Sequence, residues 1–178
     1  MFADESGFQL TPTRRRTFAP RGETPMHTAY QRHDRISAIS ALTLSPQRHK
    51  ANLFFELLPD DENVTGTHVV AFLRQLRRHI PGPIILVWDR AQPHRAKVVH
   101  EYVAQHPQLH IESLPAYAPE LNPDEGVWSY TKYGRLANWA PTDTTTLRQR
   151  LTAELERLRH LPEMLKAFIR QTKLPLRL

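Results

Sequence analysis

The chain contains no cysteine. A disulfide framework and thiolate zinc sites are therefore excluded, and the composition suits a reducing cytoplasm. No apolar run approaches the roughly 20 residues of a membrane-spanning helix, and the N-terminus lacks a signal-peptide pattern. The ten histidines form no tight multi-ligand cluster, which argues against zinc. Neither an internal repeat nor a low-complexity tract interrupts the 178 residues, so one domain with its own core is expected.

What is present is basic. The chain holds 24 Lys and Arg against 18 Asp and Glu, a net charge of +6 with a pI near 10.0. From Asp143 to the C-terminus there are eight Lys and Arg against four Asp and Glu, so this tail holds +4 of the total. Such a balance favours a polyanionic partner. An ordinary solvated face has the same composition, so charge supports that reading without deciding it.

Hydrophobic periodicity divides the chain into alternating elements. Residues 1–10 read as a strand with Phe2, Asp4 and Ser6 on one face and Ala3 and Glu5 on the other, so Asp4 and Glu5 cannot both point into one site. A turn-rich excursion follows, with Arg14, Arg15 and Arg16 and a short strand at 17–19. Residues 34–44 alternate as a half-buried strand, and 50–58 form its antiparallel neighbour. An acidic turn at 59–62 leads to an amphipathic helix over 64–79. Ile84-Ile85-Leu86-Val87-Trp88 is a continuous apolar run, expected of a central parallel strand with the preceding helix as its crossover. A helix over 93–105 and a strand over 109–114 come next. A helix from Asn122 to about Leu136 follows, then two C-terminal helices carrying Leu147, Leu151, Leu155 and Leu158, and Met164, Leu165, Phe168 and Ile169.

The most informative stretch spans 114–128. Asn122 is a good N-cap, Pro123 suits the first helical turn, and Glu125 falls where a capping-box glutamate reaches back to the Asn122 amide. Taken alone, that is only a helix start. However, Asp89 closes the apolar strand upstream, at the carboxyl end where open α/β sheets place their sites. Asp4 lies in the first strand. Three carboxylates on three elements are what a two-metal phosphoryl-transfer site requires.

Three blocks carry a resemblance to a known family. Asp4-Glu5-Ser6-Gly7-Phe8, Trp88-Asp89-Arg90-Ala91-Gln92-Pro93-His94 and Pro119-Glu120-Leu121-Asn122-Pro123-Asp124-Glu125-Gly126-Val127-Trp128 resemble the signature blocks of DDE transposases, in the mariner-like bacterial insertion-sequence branch. The stretch 17–25 also matches, and the 35 residues between Asp89 and Glu125 are close to the spacing of that branch. The resemblance covers nearly the whole chain. It departs in one place: Arg90 stands where the family usually has Asn.

The resemblance implies an α/β, ribonuclease-H-like mixed five-stranded sheet flanked by helices. The catalytic domain would span 1–137, with a C-terminal helical extension over 138–178 packed on it. Asp4, Asp89 and Glu125 would be both catalytic residues and ligands to two Mg²⁺ or Mn²⁺ ions, which hard carboxylate oxygens suit. Arg14, Arg15, Arg16, Arg90, His94 and Lys132 are candidate DNA contacts. The partners implied are DNA (terminal inverted repeats and target), a second copy in a homodimer, and a helix-turn-helix region. Family members carry that region N-terminally, whereas this chain begins three residues before Asp4. A fragment, the second frame of a frameshifted element and a decayed copy are all compatible with that start. Two alternatives stay open: a remnant that only binds DNA or a partner, and a ribonuclease-H-like nuclease.

Overall fold

The computed structural model describes residues 1–24, 26 and 34–176. Pro25, which ends the 17–25 block, and Arg177 of the basic tail lie outside the described residues. Five strands run in the order β3-β2-β1-β4-β5: β1 Phe2–Gln9, β2 Arg35–Leu44, β3 Ala51–Asp60, β4 Ile84–Trp88 and β5 Leu109–Ser113. β1, β2 and β3 pair antiparallel, while β4 pairs parallel with both β1 and β5. β2 and β3 are joined by a turn over 45–50. β4 and β5 are each reached through a helix, as parallel pairing demands: α1 (Gly66–His79) and α2 (Lys97–Ala104).

Helices cover the two faces of the sheet unequally. On one side, α1 buries Val69, Val70, Phe72, Leu73 and Leu76 against Ala3, Ile39, Ala41, Leu86 and Trp88. On the other, α3 (Asp124–Ser129), α4 (Thr144–Arg159) and α5 (Pro162–Gln171) share one core with Phe8, Leu10, Ile36, Leu42 and Leu53. The leucines at 147, 151, 155 and 158 follow the 3.6-residue period and are all buried. Asp143 caps α4, its Oδ1 accepting from Thr146 N at 2.7 Å.

Several sequence expectations need correction. β2 is buried on both faces from Ile36 to Leu42, not half-buried, because helices stack above and below it. β4 is less enclosed than its apolar run implied: Ile85 is 60% exposed, since α4 and α5 lie over β2 and β3 and leave the β4 end of that face open. The acidic turn starts later than expected, because β3 continues through Pro59 and Asp60 at the sheet edge, where a proline costs no ladder bond. Residues 17–19 form no strand, and Phe18 is fully exposed. Turns occupy 92–95, so the helix expected from Pro93 begins at Lys97. The helix after Asn122 changes geometry partway: Tyr130–Arg135 is π-helical, with Leu136 N donating to Thr131 O at 2.9 Å.

α3 lies close on α5 because residue 126 has no side chain. A Cβ there would meet the Phe168 ring at 2.9 Å. Gly126→Ala is therefore expected to destabilise the fold in urea. Overpacking of about 1–3 kcal/mol outweighs the roughly 1 kcal/mol that alanine gains in helix propensity. Phe168→Leu in the same background should recover part of the loss. A raised midpoint for Gly126→Ala alone would contradict the close packing.

Candidate active site

Strand parity brings the first two carboxylates together. Phe2 pairs with Val87 across the parallel β1–β4 junction, so Asp4 and Asp89, each two residues further on, project to the same face. That is the face on which α3 sits. Asp4, Asp89 and Glu125 all line one cleft of about 400 Å³, together with Arg90, Asn122 and the loop 114–119. On that loop Tyr117 takes a left-handed conformation, φ 57°, uncommon for a bulky residue, and is fully exposed.

The start of α3 is held differently from the capping box read in the sequence. The Asn122 amide donates to Pro119 O at 2.9 Å instead of to Glu125, and Asn122 Oδ1 accepts from Asp124 N at 3.2 Å. Glu125 is thereby left exposed in the cleft. Its neighbour Asp124 points inward with no exposed surface. Ser40 Oγ donates to Asp124 Oδ1 at 2.9 Å, and Leu42 N donates to Oδ2 at 3.3 Å. No periodicity in the sequence marks this anchor; its partner is Ser40, one of two serines in the largely apolar β2 stretch.

Charge in the cleft is strongly unbalanced. Burial pushes the Asp4 carboxyl up to about 8, and the negative charges of Asp124, Glu125 and Glu5 add to the shift. Asp124 is pushed up to about 7, again mainly by burial, with its two hydrogen bonds pulling the other way. Lys132 faces Glu125 and Asp4, with its ammonium 5.2 Å from the centre of the Phe8 ring. Burial lowers its pKa, and the two carboxylates partly offset this.

The other candidate contacts divide. Arg14 and Arg16 are exposed, and Arg90 is exposed on the cleft wall. Arg15 is tethered: its Nη1 donates to Tyr133 O at 2.7 Å, and its backbone exchanges hydrogen bonds with the Asn138 side chain. His94 is a correction. It is 4% exposed and stacked on Trp88 with the rings 4.3 Å apart and 8° from parallel. Its Nε2 lies 2.7 Å from Glu5 Oε1 and its Nδ1 lies 2.9 Å from Asp89 Oδ1, so it is no surface contact for DNA. Burial lowers its pKa, but the hydrogen bond and charge of Glu5 and the contacts with Asp89 outweigh that and leave it raised. Glu5, dismissed because it points away from Asp4, thus reaches the site through His94.

As a metal centre, the donor set fits in type and charge. Three hard carboxylates share a cleft in which burial, and then neighbouring negative charge, pushes Asp4 toward its neutral form. Among the described residues, no group of three His, Cys, Asp or Glu side chains is drawn together closely enough to hold an ion. An ion held by Asp4, Asp89 and Glu125 together would need the three to close in.

These shifts give the metal-free protein a definite pH dependence. Asp4 and Asp124 have folded pKa values above the ordinary carboxylate range, so the folded state binds protons the unfolded chain releases. The stability they contribute is complete near pH 4 and is lost as pH rises through about 7 to 8. The raised His94 pKa acts in the same direction. The thermal midpoint without divalent metal is expected to fall between pH 6 and 8.5, and to fall less in Asp4→Asn. A flat or rising profile in scanning calorimetry would overturn this account.

Comparison with known proteins agrees with this architecture. The chain aligns over 97% of its length with Mos1 transposase in a paired-end complex with left transposon end (19% identity, TM-score 0.63), covering 55% of that chain. A Mos1 mariner paired-end complex with Mn gives 18% identity, TM-score 0.62 and the same coverages. The isolated catalytic domain of Mos1 mariner transposase gives 15% identity and TM-score 0.58, over 95% of this chain and 79% of that one. The chain thus spans about half the length of the Mos1 chains in those complexes. At such identities the likeness establishes the fold, which is ribonuclease-H-like. No curated protein matches by sequence. The sequence model described as DDE superfamily endonuclease matches residues 1–148, and by that match the chain belongs to the DDE superfamily endonucleases.

Proposed function

We propose that this chain is a transposase catalytic domain that cuts DNA at insertion-sequence ends and joins the released 3′ ends to a target. The observation that carries the reading is the single cleft shared by Asp4, Asp89 and Glu125, one carboxylate from each of three elements. Asp4, Asp89 and Glu125 hold divalent metal, Mg²⁺ or Mn²⁺. Bound there, two such ions supply positive charge to activate the attacking oxygen and stabilise the leaving one. Lys132 flanks the same carboxylates and contributes a fixed cation beside the scissile phosphate. Arg90 on the cleft wall, with Arg14, Arg15 and Arg16, contacts the DNA backbone. In this reading residues 1–137 form the catalytic domain and 138–178 a helical extension packed on it. The working assembly is a homodimer on terminal inverted repeats and target DNA, served by a helix-turn-helix region encoded with the chain or separately, in a bacterial cytoplasm. Among the described residues no helix is long and apolar enough to cross a membrane.

Arg90 motivates one rival. A guanidinium on the cleft wall, where the family usually has Asn, suits a copy that binds DNA without cutting it. Incubation of the purified chain with end-labelled element DNA and Mn²⁺ separates the readings. Nicking and strand transfer are expected, with loss of at least about a hundredfold in Asp89→Asn and Glu125→Gln. Asp124→Asn, with its side chain directed into β2, should cost far less. Hydrolysis without strand transfer would favour a plain nuclease, and no nicking by the native chain would favour the binding-only rival. Cleavage lost in Asp124→Asn but spared in Glu125→Gln would overturn the choice of third ligand.

DNA binding itself is expected to be mostly electrostatic. Affinity should fall linearly in log–log form with salt, as counterions are released from the phosphates. Tight, salt-insensitive selection of one short sequence by this chain alone would refute it.

A further inference from the structure

The Asp89 carboxylate is restrained through one oxygen. Ala91 N donates to Oδ1 at 2.8 Å, and His94 Nδ1 stands 2.9 Å from Oδ1 and 3.1 Å from the Asp89 carbonyl oxygen. Both of these oxygens are acceptors, so Nδ1 carries a proton and donates it. Across the ring, Nε2 meets Glu5 Oε1 at 2.7 Å. Stacking on Trp88 and burial at 4% exposure leave the imidazole no other orientation. Among the described residues nothing donates to Asp89 Oδ2. Half of the Asp89 side chain is open to solvent, so without the ring only the Ala91 N bond would hold the carboxylate.

We propose that Glu5 and His94 are positioning residues: Glu5 fixes the imidazole, the imidazole locks Asp89 Oδ1, and Oδ2 is left to serve the cleft. A carboxylate–histidine–carboxylate chain of this kind turns a mobile surface acid into an oriented ligand, as outer-shell partners do at metal centres generally. It also explains why β1 carries two adjacent acids. Asp4 enters the cleft from one face of the strand, and Glu5 works from the opposite face through His94. The inference rests on Asp89 being a metal ligand.

The two ring nitrogens can be tested separately. In His94→Asn the side-chain amide replaces Nδ1 and retains the donor to Asp89 while losing Glu5. In His94→Gln the amide replaces Nε2 and retains Glu5 while losing Asp89. Mn²⁺ affinity, read from the electron paramagnetic resonance signal of the free ion, is expected to weaken about tenfold or more in His94→Gln, the scale of an outer-shell loss. His94→Asn should restore most of that loss, although both variants lose the Trp88 stack and should melt at similarly lowered temperatures. Equal affinity in the two variants would overturn the proposal. Asp89→Asn is the reference: if it leaves Mn²⁺ affinity unchanged, the reading of the cleft as a metal site fails. If it weakens binding while His94→Gln binds like the native chain, the positioning role alone fails. A check that needs no variant uses native protein labelled with ¹⁵N-histidine. Saturating Mg²⁺ should shift the His94 ring nitrogens, and unmoved resonances would overturn the relay.

Discussion

A buried carboxylate ties the site to the sheet. Asp124 has no exposed surface, and both of its oxygens accept from β2, one from Ser40 Oγ and one from Leu42 N. A charge-bearing group in that position is costly unless its hydrogen bonds are made. Once they are made, the first turn of α3 can rotate little. Glu125 is the next residue, so its direction follows from the anchor of its neighbour. Gly126 follows in turn, and its missing side chain lets Phe168 of α5 close against the same helix. Three consecutive residues thus couple sheet, cleft and C-terminal helices.

Placing so many acids around one cleft costs stability. Asp4 is held well above the ordinary carboxylate range by burial and by three acidic neighbours. One basic side chain, Lys132, opposes this, and a second, His94, pairs with the neighbouring acids. Lys132 approaches along the π-helical continuation of α3, with its ammonium over the Phe8 ring. His94 approaches from beneath the β4 end and bridges Glu5 and Asp89. Neither side chain lines the cleft shared by Asp4, Asp89 and Glu125. Burial and like charge together make such an arrangement costly in itself.

Uneven coverage of the sheet leaves room for this site. α1 and α2 close one face, but α4 and α5 lie over the antiparallel half of the other, leaving Ile85 of β4 exposed. The cleft opens at the border between the covered and uncovered halves, where β1 meets β4. The loop 114–119 rims it, running from buried Leu114 to exposed Tyr117. Tyr117 stands there with a left-handed backbone and no neighbour on its ring.

The sequence by itself determined the five strands, with one strand too many at 17–19, the helices α1, α4 and α5, and one acid each on β1, at the end of β4 and on the helix after β5. These are local properties. A period of two or 3.6, a proline-rich break and an acid closing an apolar run are visible without knowing what lies across from them. The third signature block was specific enough to indicate the family, and with it the ribonuclease-H-like sheet. Only the tertiary structure decided which polar groups are inside. His94 reads like a surface cation and is buried, because Glu5 and Asp89, 89 and five residues away in the chain, converge on its two nitrogens. Asp124 reads like a helix-terminal acid and is an anchor, because Ser40 lies 84 residues upstream and directly opposite. β2 reads as half-buried and is fully buried, because α1 covers one face and the C-terminal helices cover the other. The exposed face of Ile85 has the same origin in reverse. Such outcomes depend on which partner arrives across the sheet, and no periodicity within one strand records that.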